Sequence, residues 1–350
     1  MPGSVITGTG SYVPSRVLSN GEIATRLGIT EDWIVEKTGI RERRVAAPDE
    51  ATSDLATKAA EQALASAGLV PDDIDLIILA TSTPDQPMPA TACLVQANLG
   101  ASRATAMDVN AVCTGFIYGF SVARSMLLAD PGIRNALVIG ADTYSRILNY
   151  DDRSTAVLFG DGAGAVVITK TDTDSDVIAS FLGSDGTKAD YIQIPGGGSR
   201  RPASCETVST GDHYFAMRGR ETRMTVAENL PRLTDRIMEL GGFGWTDVDH
   251  VVPHQANGVM LSAWSDAVGL RPGVLRKTVE RYGNTGAASV PLTLDDTVRQ
   301  GMISPGDLVM LFAVGGGVTW GGLAVRWAGV TLLADRDAVT RAVVGTEVLA

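Results

Sequence analysis

The chain has 350 residues, 45% of them hydrophobic and 20% charged, which suits two globular units or one large layered fold and excludes a disordered polymer. Forty acidic side chains against 29 basic ones leave a net charge of −11, which repels a polyphosphate backbone and argues against nucleic-acid binding. No run of about 18 consecutive apolar residues occurs, so no membrane-spanning segment is expected.

The first thirteen residues, MPGSVITGTGSYV, carry no charged side chain. They lack the basic start of a signal peptide and read as a β-strand, which places the chain in the cytoplasm. Residues 53–67, SDLATKAAEQALASA, hold apolar positions at helical spacing, with Ser53 as the expected cap and Gly68 as the stop. Short apolar runs at 76–80, 136–139, 165–168, 250–252 and 308–312 read as strands between helical stretches, an α/β alternation. Glycine clusters around 160–164, 183–198, 241–244 and 315–322 predict tight turns or close backbone approaches. Gly160-Asp161-Gly162-Ala163-Gly164 lacks the GxGxxG spacing of a dinucleotide loop and reads as structural.

The chain also echoes itself. MDVNAVCTGFIYGF, a helix and ALVIGAD resemble TVERYGNTGAASVP, a helix and LVMLFAVGGG. Cys113 precedes Asn284 by 171 positions, and Leu137 precedes Leu308 by the same 171. An offset of 174 superposes Asp75 on Asp249, each just before an apolar strand. Two related halves packed face to face would share one site at their join.

Three cysteines, 93, 113 and 205, are odd in number and lack CxxC spacing, which argues against a disulfide framework and a zinc cluster. Cys93 lies in an apolar helical run and Cys205 in a polar loop. Cys113 sits where small residues give way to Phe116, Ile117 and Phe120, so its thiol is expected at a helix N-terminus. Free backbone N–H groups and the dipole there favour thiolate and create a nucleophile; the plain alternative is a small buried hydrophobe. His254 follows the strand at 250–252 and can project into a cleft, whereas His213 and His250 read as surface or cap residues. Asn284 lies among small residues that permit close approach. Gly315-Gly316-Gly317 can aim a backbone N–H at a carbonyl oxygen.

Taken together, the blocks GTGSYVP (8–14), EDWIVEKTGIRERR (31–44), AVCTGF (111–116), FGDGAGAVV (159–167), VPHQAN (252–257), YGNTGAASVP (282–291) and GGGVTWG (315–321) resemble the β-ketoacyl-acyl-carrier-protein synthase III family of the thiolase superfamily. The resemblance runs to Trp327. It implies an α/β thiolase-like fold, two βαβαβαββ halves in a five-layered αβαβα arrangement, usually a homodimer. The halves would be residues 1–170, carrying the cysteine, and 171–327, carrying the histidine and asparagine, followed by an extension at 328–350.

The resemblance further implies an acyltransferase that primes fatty-acid or polyketide synthesis, with no metal and no cofactor beyond acyl-CoA as substrate. Cys113 would take the acyl group, and His254 and Asn284 would hold the thioester oxygen of malonyl-acyl carrier protein while it decarboxylates. Backbone N–H groups of Cys113 and Gly316 would form the oxyanion hole. Trp33, Lys37, Arg153, Gly219 and Asn257 match coenzyme A contacts; Lys37 keeps a charge but loses planar stacking. Met88 matches a residue that reaches across the dimer to limit the partner's acyl pocket.

Three departures stand out. Val259 and Met224 replace basic residues that dock the carrier protein, and Val314 replaces a phenylalanine beside the malonyl group. Arginines 200, 201, 218, 220 and 223 form a basic cluster that could substitute, or a solvated charge run. Two other readings stay open: transfer of the acyl group to a hydroxyl or amine acceptor, and an inactive partner subunit, which intact Cys113, His254 and Asn284 oppose.

Overall fold

The computed structural model describes residues 3–172 and 176–329; the terminal extension expected at 328–350 lies almost wholly outside them. Strand β1 (Gly3–Tyr12) is followed by the ribbon strands β2 (Arg16–Ser19) and β3 (Glu42–Val45), which bracket α1 (Asn20–Leu27) and α2 (Glu31–Thr38). Then come α3 (Thr52–Ala67), β4 (Leu76–Ala80), α4 (Thr91–Leu99), β5 (Thr105–Val109), α5 (Gly115–Ala129), β6 (Asn135–Asp142) and β7 (Gly162–Thr171). Apart from the ribbon, this is a βαβαβαββ unit, and its sheet runs β1-β7-β6-β4-β5.

The second unit comprises β8 (Val177–Ser184), β9 (Ile192–Gln193), α6 (Cys205–Ser209), β10 (Ala216–Met217), α7 (Gly219–Gly241), β11 (His250–Pro253), α8 (Gly258–Val268), α9 (Val279–Tyr282), α10 (Ser289–Arg299), β12 (Leu308–Gly315) and β13 (Thr319–Arg326). Its sheet runs β11-β12-β13-β8. The order matches β4-β6-β7-β1 of the first sheet, and β11 and β12 are parallel as β4 and β6 are. The strand equivalent to β5 has shrunk to a single parallel bridge, Val251 to Leu275. The internal echo is therefore structural. Asp75 accepts the backbone N–H groups of Arg134 and Asn135 at the start of β6, and Asp249 accepts that of Leu308 at the start of β12.

Helices α5 and α10 form the middle layer. Phe116, Ile117, Phe120 and Leu127 of α5, with Val290 and Leu294 of α10, are buried in one cluster with residues of both sheets. Each such side chain contributes about 1.5–3 kcal/mol by leaving water. Helices α3 and α4 cover the outer face of the first sheet, and α7 covers that of the second with Trp264 of α8, completing five layers. The 112–129 segment has the length and a mean hydropathy of 1.4 that would suit a membrane span, yet its place is this central layer.

Local expectations need amending at four points. Helix α3 starts one residue before Ser53, at Thr52, and its cap is the carboxylate of Asp54 reaching back to the Ala51 N–H at 2.8 Å; the Ser53 hydroxyl donates instead to Asp85. Cys205 begins the short helix α6 rather than sitting in a loop. His250 is buried, with Nε2 3.0 Å from Asp307 and Nδ1 accepting from Arg276, so it is a core residue and not a surface one. Gly315 is the last residue of β12, so the strand runs further than its apolar core suggests.

Candidate active site

Cys113 sits in a 3-10 turn, Val112–Thr114, that leads directly into α5. The preceding Val112 holds φ 49°, a left-handed conformation that a β-branched residue adopts only under constraint, at about 1–3 kcal/mol. The constraint is visible in β13. Thr319 Oγ1 lies 3.2 Å from the Ala111 carbonyl, 3.0 Å from Thr114 Oγ1 and 2.9 Å from the Gly316 carbonyl, pinning the nucleophile loop to the glycine turn.

Gly315 permits that approach, because a Cβ there would stand 3.0 Å from the backbone nitrogens of Cys113 and Thr114. Gly315→Ala is expected to push the loop away and slow acylation of Cys113 by about 10- to 100-fold, since small misplacements of reacting atoms are costly. Burst amplitude and rate with an acyl-CoA would show it; an unchanged burst rate would remove Gly315 from the positioning machinery. Gly315 lines the cavity, whereas the side of Gly316 that would carry a Cβ faces Ile192 and Val112.

His254 immediately follows β11, and its backbone N–H donates to the Phe312 carbonyl at 2.8 Å. The ring is buried, and Nδ1 has no hydrogen-bond partner within the described residues. Burial pushes the imidazole down to about 4 against a weaker opposing hydrogen bond to the Gly286 backbone, so it is neutral at physiological pH.

Asn284 is held by its own backbone: its N–H donates to the Leu158 carbonyl at 2.9 Å and its carbonyl accepts from Gly160 at 3.0 Å. Its Oδ1 accepts the Gly286 N–H at 2.9 Å, which leaves the Nδ2 hydrogens for the cavity. Cys113, His254, Asn284 and Gly315 line one cavity of about 70 Å³, walled by Phe159, Ile192, Phe215, Met217, Val226, Val314 and Val318, with Thr222 and Thr225 as its polar wall. The three side chains singled out in the sequence thus meet at the join of the two halves.

The expectation of an acidified thiol is overturned. Burial pushes Cys113 up to about 12, the neighbouring Asp142 charge adds to this, and backbone N–H and the Tyr144 hydroxyl oppose it only in part. A helix terminus contributes about 0.3–2 kcal/mol, less than the desolvation of a fully enclosed thiolate. The resting nucleophile is a neutral thiol.

Tyr144 was not singled out by the sequence. It is buried, stacks on Phe159 at 4.4 Å and meets Phe215 edge-on at 5.6 Å, and its hydroxyl lies 3.0 Å from Ser82 Oγ. The strand-end argument used for His254 would have found it, because Tyr144 follows β6 by two residues.

The expected coenzyme A contacts are outside this cavity. Trp33 and Lys37 lie on α2, and the Asn257 side chain, which caps α8, donates to the Lys37 carbonyl at 2.9 Å. Trp33 packs in one cluster with Tyr150 and Leu158, whose connecting loop carries the exposed Arg153. Gly219 is exposed at the first position of α7, whose Thr222, Thr225 and Val226 line the cavity. Met88 is 80% exposed and outside the cavity of its own chain. Met224 and Val259 are 64% and 44% exposed. Of the arginine cluster, Arg201 pairs with Asp212 at 2.7 Å and Arg218 with Asp190 at 2.7 Å. No cluster of His, Cys, Asp or Glu among the described residues is placed to hold a metal.

The family described as 3-oxoacyl-[acyl-carrier-protein (ACP)] synthase III matches residues 107–186, and its C-terminal part matches 238–327. The acetoacetyl CoA synthase NphT7 of Streptomyces sp. (strain CL190) is 49% identical over 324 residues, 92% of this chain and 98% of that protein. A β-ketoacyl-[acyl-carrier-protein] synthase III of Caldanaerobacter subterraneus subsp. tengcongensis is 44% identical over 92% of this chain and 97% of its own length. Among solved structures, 3-oxoacyl-[acyl-carrier-protein] synthase III from Aquifex aeolicus superposes with a TM-score of 0.85 at 38% identity, covering 93% of this chain and 100% of that one. The priming β-ketosynthase of the R1128 polyketide pathway does so with a TM-score of 0.85 at 32% identity, covering 93% and 96%. With identity of this order across nearly the whole described chain, and cysteine, histidine and asparagine facing one buried cavity, the chain belongs to the β-ketoacyl-acyl-carrier-protein synthase III family of condensing enzymes.

Proposed function

We propose that the chain is an acyltransferase that primes chain synthesis by decarboxylative condensation, on the strength of Cys113, His254 and Asn284 sharing one enclosed cavity. The Cys113 sulfur attacks an acyl-CoA thioester and coenzyme A leaves. The malonyl thioester that follows presents its carbonyl oxygen to the His254 ring and Asn284 Nδ2. Loss of carbon dioxide moves negative charge onto that oxygen, where preorganised donors in a water-poor cavity stabilise it most. The resulting carbanion attacks the acyl-Cys113 carbonyl, whose oxyanion the backbone N–H of Cys113 and the glycine turn at 315–316 would hold. Phe159 and Phe215 line the cavity with Cys113 and meet edge-on at 4.9 Å, which favours a short primer.

Trp33, Lys37, Arg153, Gly219 and Asn257 are the coenzyme A contacts of this reading. The α2–α8 bond through Asn257 supports a common rim for them. A homodimer is part of the same reading: among the described residues no strand lies beside the outer edge of β5 in the first sheet, and an edge left open is a pairing surface. Met88 would then cap the partner's acyl pocket.

The acceptor has two readings. Malonyl-acyl carrier protein is the family's; malonyl-CoA is favoured by the exposed, uncharged Met224 and Val259 where docking cations are expected, and by a relative named for an acetoacetyl CoA product. Mass spectrometry of the purified protein with an acyl-CoA panel, followed by each malonyl donor, tests both steps. A short acyl adduct on the Cys113 peptide, discharged as a β-keto thioester faster with malonyl-CoA, is the expected result. An adduct discharged only by hydroxyl or amine acceptors would overturn condensation, and faster discharge by the carrier protein would restore the other acceptor.

A further inference from the structure

Few enclosed side-chain polar atoms lack a hydrogen-bond partner among the described residues, and two of them, His254 Nδ1 and Thr222 Oγ1, belong to residues that line the cavity. The imidazole has a place in the condensation above; Thr222 has none. It lies in the first turns of α7 between the exposed Glu221 and Arg223, and it meets the cavity together with Thr225 and Val226, three and four positions on along the same helix face.

A threonine inside a helix commonly gives its hydroxyl to the carbonyl four residues back. In this chain Thr25 does so to Gly21 at 2.8 Å, Thr38 to Ile34 at 2.6 Å, Thr57 to Ser53 at 2.7 Å, Thr234 to Leu230 at 3.1 Å and Thr297 to Thr293 at 2.6 Å. The Arg218 carbonyl stands in the same position before Thr222, yet it receives the Thr222 backbone N–H, at 2.9 Å, and not the hydroxyl. An enclosed hydroxyl without a partner is costly, and a ligand in the cavity is the partner within reach of this one.

The group it would hold follows from what the other residues leave unmet. In the proposed condensation His254 and Asn284 take the thioester oxygen of the malonyl donor, Cys113 carries the acyl group, and backbone N–H groups take the oxyanion. The free carboxylate of the donor remains, and a charge entering a largely apolar cavity needs at least one hydrogen-bond donor. None of the described residues lining the cavity carries a charge at neutral pH, His254 included. A cation would hold the carboxylate too well, because its charge must pass to the thioester oxygen as carbon dioxide departs. One neutral hydroxyl orients the carboxylate without that penalty.

We propose that the Thr222 hydroxyl donates to the free carboxylate of the malonyl donor and makes the cavity selective for a carboxylated thioester in the second step. The inference rests on the condensation proposed above. The contact belongs to the bound donor and not to the transition state. As the bond to the carboxylate carbon breaks, its electron pair moves into the enolate held by His254 and Asn284, neutral carbon dioxide departs, and the hydroxyl loses its acceptor. Removing the hydroxyl therefore weakens binding of the donor and leaves the limiting rate no lower.

The test compares wild type with Thr222→Val, which keeps the shape and removes the hydroxyl, and Thr222→Ser, which keeps the hydroxyl. Each protein is first acylated with an acyl-CoA, and single-turnover discharge of the acyl-enzyme is then followed against the concentration of malonyl-CoA and of malonyl-acyl carrier protein. In Thr222→Val the half-saturating concentration of the donor that serves wild type should rise about 10- to 100-fold, the worth of a hydrogen bond to a charged group, with a limiting rate equal to or above that of wild type. Thr222→Ser should restore most of the loss. The acyl-CoA concentration that half-saturates the acylation burst should not move in either variant, because acyl-CoA has the same pantetheine arm and no free carboxylate. An unchanged donor half-saturation in Thr222→Val would overturn the contact, as would a serine variant as weak as the valine one. An equal rise for acyl-CoA would assign the hydroxyl to the pantetheine arm, and a lowered limiting rate alone would mark disturbed packing; either result overturns the contact as well. Wild type that is not acylated, or is acylated and discharged by neither malonyl donor, rejects the condensation and the contact with it, a result distinct from a condensing wild type whose valine variant behaves alike.

Discussion

Cys113→Ala is expected to abolish covalent labelling by acyl-CoA while leaving the fold intact. The side chain is small and lines the cavity, so its removal deletes one sulfur and opens little space. Thermal unfolding should move by only a few degrees, whereas the acyl adduct and all condensation product disappear. Intact mass after incubation with acyl-CoA decides the matter. An adduct of undiminished yield, mapped to another peptide, would show that the sulfur at 113 is not the attacking atom. Cys93 and Cys205 are the internal controls, because the variant retains both.

His254→Ala and Asn284→Ala should separate the two chemical steps. Acyl-enzyme still forms, and its conversion to product falls by about 10²- to 10³-fold in each, the scale on which one oxyanion donor acts. The pH dependence gives a sharper test. The folded imidazole is held at about 4, so condensation from preformed acyl-enzyme should show no protonation of a histidine near its ordinary value of 6.5. Linkage also sets the sign for stability. A folded-state value below the unfolded one means the unfolded chain binds more protons, so this contribution is present above pH 6.5 and is lost as pH falls toward 4. Product formation from acyl-enzyme that halves at pH 6.5 in wild type and not in the alanine variant would assign a charged imidazole to the chemistry and reject the neutral one.

The sequence carried its clearest signals wherever a residue's environment repeats locally. The run at 76–80 coincides with β4, because a strand covered on both faces is apolar throughout. The 171- and 174-residue echoes are mirrored in two sheets of matching order, down to Asp75 and Asp249 accepting the N–H groups that open the next strand. Signals that depend on distant packing were misread. Ser53 has the chemistry of a cap, but Asp85, 32 residues on, claims its hydroxyl. The thiol at 113 has the local setting of an acidic sulfur, but its burial comes from walls contributed by both halves. Tyr144 is a common residue in a common position, and only its stacking on Phe159 and its place beside Ser82 distinguish it.

A sulfur kept protonated at neutral pH is a poor target for peroxide and for stray electrophiles, which attack thiolates. Cys205 stands exposed at the start of α6 and would be consumed sooner. An enzyme built this way ages at its surface first and keeps its working sulfur in reserve.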